Sequence, residues 1–200
     1  MKYCSDCGEP VTEQIPAGDN RPRFVCCSCA TVHYQNPKVV AGCLVEWNGR
    51  VLLCKRAIEP RYGLWTLPAG FMELGETTLE AAVRETREEA LAEISVDGLF
   101  TVLNLPHVDQ VHMMFRGKML DGKHAPGEES LETQLLSQQD IPWSTLAFST
   151  IYHTLWLYYE DQAKGTFHVH TGDIIRHDNG HYELLQTGLA EPRQFPVMQP

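Results

Sequence analysis

The sequence predicts an α+β fold: a sandwich of strands and two helices, preceded by a small ribbon held by metal instead of a core. Three observations predict it. Two cysteine pairs, Cys4-x2-Cys7 and Cys26-x2-Cys29, stand near the N-terminus. Two valine- and leucine-rich runs, Lys38 to Trp47 and Arg50 to Arg56, are joined by Asn48-Gly49, the dipeptide that best favours a tight hairpin. Two helical patterns, one after Thr77 and one from Phe148 to Gln162, are separated by further strand-like runs.

The ribbon comes first and covers residues 1–34. Eighteen residues separate Cys7 from Cys26, a spacing that reads as a four-thiolate zinc site with Cys4, Cys7, Cys26 and Cys29 as ligands. Gly8 follows the first pair closely, as a tight knuckle requires. Metal ligation explains how a segment with so little apolar content folds. Cys27 lies inside the second pair at a poorer spacing. The alternative is a disulfide framework. A chain that starts at Met1-Lys2-Tyr3 without an apolar signal segment is expected in a reducing compartment, the cytoplasm, where thiols bind metal. Cys43 and Cys54 lie in the apolar hairpin runs and read as buried small hydrophobes.

Asn36-Pro37 breaks the chain before the main domain, residues 35–165. After the hairpin, Leu64 to Leu67 gives a short strand into Pro68 and a glycine loop. Thr77 is placed to cap the first helix, with Glu80 completing a capping box. Ile94 to Leu105 and Gln110 to Leu120 read as strands broken at Pro106, and 121–130 as a polar loop containing Pro126-Gly127. Leu131 to Leu136 is another strand. In the second helix Ile151, Leu155 and Tyr158/Tyr159 follow helical spacing, with Ser149 as its cap. Residues 166–200 form a C-terminal extension in which Thr166 to Ile175 and His181 to Gln186 pair as a hairpin around Asp178-Asn179-Gly180.

Gly70 to Ala92, GFMELGETTLEAAVRETREEALA, carries the chemistry. At 100° per residue Glu85, Glu88 and Glu89 fall within about a third of the helix circumference. Carboxylates so close repel one another unless a divalent cation lies between them. Leu79, Ala82, Val83, Thr86 and Ala90 share another face, the one expected to enter the core. Such a helix is a platform for Mg2+ or Mn2+, ions that in enzymes commonly hold substrate phosphates as well. The alternative is a solvated helix laced by Glu80–Arg84 and Arg84–Glu88 pairs.

This segment resembles the Nudix box, G-x5-E-x7-R-E-U-x-E-E-x-G-U, with U aliphatic. Gly70, Glu76, Arg84, Glu85, Glu88 and Glu89 match in register, and GLWTLPA before it resembles the strand and turn that enter the box. Thr86 and Ala92 replace aliphatic residues, and Leu91 replaces the late glycine. Leucine disfavours the left-handed conformation that glycine adopts at a helix end, so the helix is expected to run further or the turn to change shape. The resemblance implies a Nudix α/β/α sandwich that hydrolyses nucleoside diphosphates linked to another moiety. It implies Glu85, Glu88, Glu89 and the Gly70 carbonyl as metal ligands, with Arg84 and Glu76 holding the loop to the helix. A base is then expected from Glu85 or from outside the box: Glu132 as a further ligand and catalytic group, Glu129 as a base, with Glu128 read as a solvated acid. Arg56 and Arg61 are candidate phosphate clamps, and Trp65 a candidate stacking surface beside Tyr62, Phe71, Phe100, Phe115 and His107.

A ribbon followed by a Nudix domain occurs in two subgroups. The specificity motif of NADH pyrophosphatases, SQPWPFPxS, is not matched after the box. Resemblance to FAD and ADP-ribose pyrophosphatases is closer, through YQNPKVVAGCLVEW, LLCKRAIEPRYGLWTLPAGFMELGET, the PG-ESLE segment and IPWSTLAFSTIYHTL. This implies cleavage of FAD to FMN and AMP, with ADP-ribose as a further substrate and a homodimer as the assembly. NADH pyrophosphatase is the alternative, and a nucleotide-sensing or interaction protein without hydrolysis is the alternative of another class. The formal charge of −10 argues against nonspecific nucleic-acid binding, and the ribbon has few basic residues (Lys2, Arg21, Arg23). No apolar run approaches membrane-spanning length. A hydrophobic content of 43% is enough for one substantial core.

Overall fold

The computed structural model describes residues 1–187 of the 200-residue chain. The contacts divide it into two compact units, Met1–Pro37 and a second beginning at Lys38. In the first, β1 (Val11–Gln14), β2 (Arg23–Cys26) and β3 (Val32–His33) form an antiparallel sheet. Its buried apolar residues are Cys4, Val25 and Cys26, too few for a self-sufficient core.

The second unit is built on one mixed sheet. Its elements are β4 (Lys38–Trp47), β5 (Arg50–Arg56), β6 (Trp65–Thr66), β7 (Ala69–Phe71), α1 (Thr78–Ala90), β8 (Ile94–Leu105), β9 (Gln110–Met119), β10 (Ser130–Leu136), α2 (Ser149–Lys164), β11 (His170–Arg176) and β12 (Tyr182–Gln186). The strand order is β10-β5-β4-β9-β8-β11-β12, with β6 paired to β5 and β7 to β4. β4 runs parallel to β9 and β11 parallel to β8, while β8 and β9 are antiparallel. Asn48 and Gly49 both have positive φ, 50° and 75°, as a two-residue turn matched to strand twist requires. β11 and β12 pair antiparallel; residues 188–200 of the extension lie outside the described residues.

Side-chain alternation sorts the core into two layers. Ala41, Cys43 and Val45 of β4 and Leu52 and Cys54 of β5 face one way and meet Ala81, Ala82 and Ala90 of α1. Leu44, Val51 and Leu53 face the other way and meet Ile151, Leu155, Leu157 and Tyr158 of α2. The sheet is therefore covered by one helix on each face. Burial raises both the Cys43 and the Cys54 thiol well above the usual range.

Three details differ from the sequence reading. The buried stripe of α1 is Ala81, Ala82, Glu85, Thr86, Glu89 and Ala90, and Leu79 is 43% exposed. Small alanines bring the helix close to the sheet and rotate two carboxylates onto the edge of the buried face. Leu91 adopts the left-handed conformation itself (φ 47°), with its N–H on the Arg87 carbonyl, so α1 stops where the box glycine would stop it. Phe148, not Ser149, is the N-cap of α2, with no side-chain cap; Ser149 is buried inside the first turn. The capping box of Thr77 and Glu80 is present.

Candidate metal and phosphate site

Gly70 lies on β7, paired with Ala41 of β4. A Cβ there would overlap the Glu85 carboxylate, so only glycine lets that carboxylate lie against the loop backbone. Next to it, Glu89 Oε2 accepts the Ala69 N–H at 3.2 Å, and Glu89 is only 4% exposed. Arg84 ties the loop to the helix. Its Nε and Nη2 donate to the two Glu76 oxygens at 3.0 and 2.8 Å, and Nη2 also reaches the Phe71 carbonyl at 3.1 Å. Its Nη1 donates to Glu85 Oε1 at 2.7 Å and Glu88 Oε2 at 2.9 Å. Glu76 in turn accepts the Glu73 N–H at 2.6 Å, and these bonds, Arg84 first, hold its carboxyl down to about 2.

A second loop closes on the far end of α1. The Ala125 and Gly127 N–H groups donate to the Ala90 and Glu89 carbonyls at 2.9 and 3.0 Å, satisfying acceptors that a helix end leaves open. A Cβ at Gly127 would collide with the Glu88 carbonyl. From there the chain passes Glu129, whose carbonyl accepts the Ala57 N–H at 2.8 Å. The Glu129 charge reaches both Glu85 and Glu89.

Burial raises the Glu85 carboxyl and lifts Glu89 to about 8. For Glu89 the charges of Glu85 and Glu129 add to the rise, while the Ala69 N–H and Arg56 oppose it. A cluster of acids held dry beside one another binds protons or a cation more readily than it stays bare. Arg56, at the end of β5, is 9% exposed. Its Nε donates to the Pro60 carbonyl at 2.9 Å and its guanidinium lies 5.2 Å from the Phe148 ring centroid.

The remaining candidates are placed as follows. Glu132 pairs in register with Lys55 on β5, with its carboxylate 3.9 Å from Lys55 Nζ and accepting from Gln134. Glu128 is exposed. Arg61 is an exposed turn residue with φ 70°. Trp65 packs against the α2-side core, with Lys55 Nζ 5.7 Å from its ring. Phe100 and Phe115 are buried, whereas Tyr62 and Phe71 are 56% and 50% exposed. Docking of Ala125 and Gly127 on the end of α1 was missed; the Pro126-Gly127 signal marked a turn but not its partner.

In the ribbon the four sulfurs of Cys4, Cys7, Cys26 and Cys29 all lie within 4.8 Å of one another. Cys4–Cys29, Cys7–Cys26 and Cys7–Cys29 are separated by 3.7, 3.4 and 3.5 Å. Tetrahedral zinc with Zn–S bonds of about 2.3 Å sets its sulfurs about 3.8 Å apart, so the set fits zinc. Cys27 Sγ lies 3.9 Å from Thr12 Oγ1 and is not in the cluster.

Comparison with known proteins matches the same two segments. Residues 2–35 match the family described as Nudix N-terminal, a zinc ribbon, and residues 36–151 match the NUDIX domain. The chain is 31% identical over 113 residues to an ADP-ribose pyrophosphatase of Methanocaldococcus jannaschii, covering 54% of this chain and 67% of that one. It is 27% identical over 160 residues to the NAD-capped RNA hydrolase NudC of Pseudomonas aeruginosa, covering 78% of this chain and only 55% of NudC. Among solved structures, a NUDIX hydrolase from Nitrosomonas europaea is 51% identical with a TM-score of 0.82, covering 86% of this chain and 99% of that one. An ADP-ribose pyrophosphatase from Streptococcus suis, at 20% identity and a TM-score of 0.55 over 69% of this chain and 99% of that one, shares the fold. The box, the sheet with a helix on each face and the matched segments together place this chain in the Nudix hydrolase family, with a zinc ribbon at its N-terminus.

Proposed function

We propose that the chain hydrolyses the pyrophosphate of an ADP-linked nucleotide, with FAD, cleaved to FMN and AMP, as the leading substrate. The observation that carries this reading is the packing of Glu85 and Glu89 against the Gly70 loop, with Glu88 and Glu129 beside them and Arg56 facing Glu89. Glu85, Glu88, Glu89 and the Gly70 carbonyl are the groups that would hold Mg2+ or Mn2+. When bound, such a cation neutralises charge on the pyrophosphate and acidifies water.

The protein's own groups do the rest. Arg84 and Glu76 fix the loop on the helix, so the carboxylates keep their places through the cycle. Arg56 has its Nε engaged by Pro60 and directs the rest of its guanidinium toward a phosphate oxygen, a fork-shaped donor for an anion. Glu129 takes the proton from the attacking water, whose oxygen bonds to one phosphorus while the bridging oxygen leaves with the other phosphate. Glu132, 3.9 Å from Lys55 Nζ, is the candidate for a further metal ligand.

The choice of FAD follows the closer resemblance to FAD and ADP-ribose pyrophosphatases and the missing NADH motif. ADP-ribose is the second reading, favoured by the archaeal relative named for it. Two further relatives are named for NAD-capped RNA and NAD(P)H, compounds that contain the same adenosine pyrophosphate unit. We expect a cytoplasmic location and a homodimer, the latter tested by light scattering. Among the described residues no helix is long and apolar enough to cross a membrane. Specificity constants for FAD, ADP-ribose and NADH at equal magnesium, with products identified, decide the substrate. FAD first supports the reading; NADH first overturns it, and no AMP from any of the three removes the hydrolase assignment.

A further inference from the structure

The ribbon contains a fifth donor beside its four sulfurs. His33 ends β3, held opposite Phe24 by the β2–β3 pairing, and its Nε2 lies 3.2 Å from Cys4 Sγ. Cys4 is itself 4% exposed. Four thiolates around a dication leave two negative charges, here in a segment rich in acids. The other donors near these sulfurs are longer or shared. Asp6 N–H reaches Cys4 at 3.4 Å, and the Ser28 and Cys29 N–H groups reach Cys26 at 3.4 Å. The Thr31 hydroxyl has one proton for two acceptors, Cys29 Sγ at 3.2 Å and Asp6 Oδ2 at 3.1 Å. Arg23, the nearest arginine to the second pair in sequence, is engaged by Asp19 at 3.0 Å.

We propose that His33 belongs to the zinc site as a positioning residue, donating its Nε2–H to the Cys4 thiolate. A side-chain donor bonded to a metal ligand fixes the ligand's orientation and raises the cost of losing the metal. His33 is not a ligand in this arrangement, because a nitrogen that keeps its proton for sulfur has no lone pair for zinc. The bond neutralises part of the thiolate charge at a buried sulfur of the cluster and slows departure of that sulfur from the metal.

Zinc transfer from the full-length protein to a chromogenic chelator tests this. His33→Leu is expected to release zinc about tenfold faster or more, and His33→Gln, whose amide keeps an N–H, to recover part of the difference. Equal release from wild type and His33→Leu overturns the proposal. His33→Phe, which keeps a ring and lacks the donor, repeats the comparison should the leucine variant fail to fold. Cobalt substitution reads the same bond without kinetics. The wild type is expected to show a four-thiolate spectrum whose sulfur-to-metal band shifts in the donor-free variant. A spectrum of three sulfurs and one nitrogen would make His33 a ligand and overturn its outer role.

Discussion

The ribbon and the glycine-loop site both gather anionic side chains for a cation, by opposite means. In the ribbon four sulfurs converge within 4.8 Å in a unit whose buried apolar residues are Cys4, Val25 and Cys26; without metal little is left to hold it. In the second unit the carboxylates sit on a helix already fixed by a capping box, an alanine-packed face and the Arg84 fork. There the fold exists first and the cation is a visitor. On the proposed function the first site serves folding and the second serves chemistry, so each should fail without disturbing the other.

Removing the ribbon's metal has the largest expected effect on structure. Cys26→Ser should lose zinc and, with it, ligation energy on the order of 10 kcal/mol. Proteolysis should then cut within 1–37 while the second unit stays protected and active. Protection of both units in a zinc-free variant would remove the contrast.

Acid sharpens it. Burial holds His112 and His153 down to about 4, below the unfolded value near 6.5. Between those values the unfolded state binds more protons, so stability falls as pH drops from 6.5 toward 4 and is retained above 6.5. Each histidine accounts for up to about 3 kcal/mol of that loss in the second unit. Denaturant unfolding of wild type and His112→Gln at pH 7 and 5 reads it: the variant should show a shallower dependence.

A smaller effect is expected where the second loop meets the helix. Gly127→Ala forces a methyl against the Glu88 carbonyl, which should cost about 1–3 kcal/mol. It should also lower turnover at least tenfold by moving Glu129. Unchanged turnover would separate that loop from the reaction. Smallest of all, Leu91→Gly should stabilise the protein by about 1 kcal/mol by relieving a left-handed leucine that is 56% exposed. A thermal melt measures it.

What was legible in the sequence was local. The Asn48-Gly49 turn, the Thr77–Glu80 capping box and the cysteine knuckles are set by neighbours a few residues apart, and spacing alone reveals them. The pairing of Arg84 with Glu76, eight residues away, was readable only through the box. Contacts between distant segments were hidden: Ala125 and Gly127 on the end of α1, Glu132 opposite Lys55, Arg56 buried against Phe148. Helix rotation was hidden too, because spacing gives a face but not how closely alanines let it approach the sheet. That approach buries Glu89 and lifts its carboxyl to about 8, which no periodicity reports.

The most direct test of the central claim is a paired assay of Glu89→Gln, with AMP release from FAD and ADP-ribose at saturating magnesium and zinc content measured on the same sample. Turnover lowered at least a hundredfold, one zinc retained per chain and an unchanged fold are expected. Turnover near that of the wild type would contradict this, because the buried carboxylate on the Ala69 N–H would then not hold the catalytic cation.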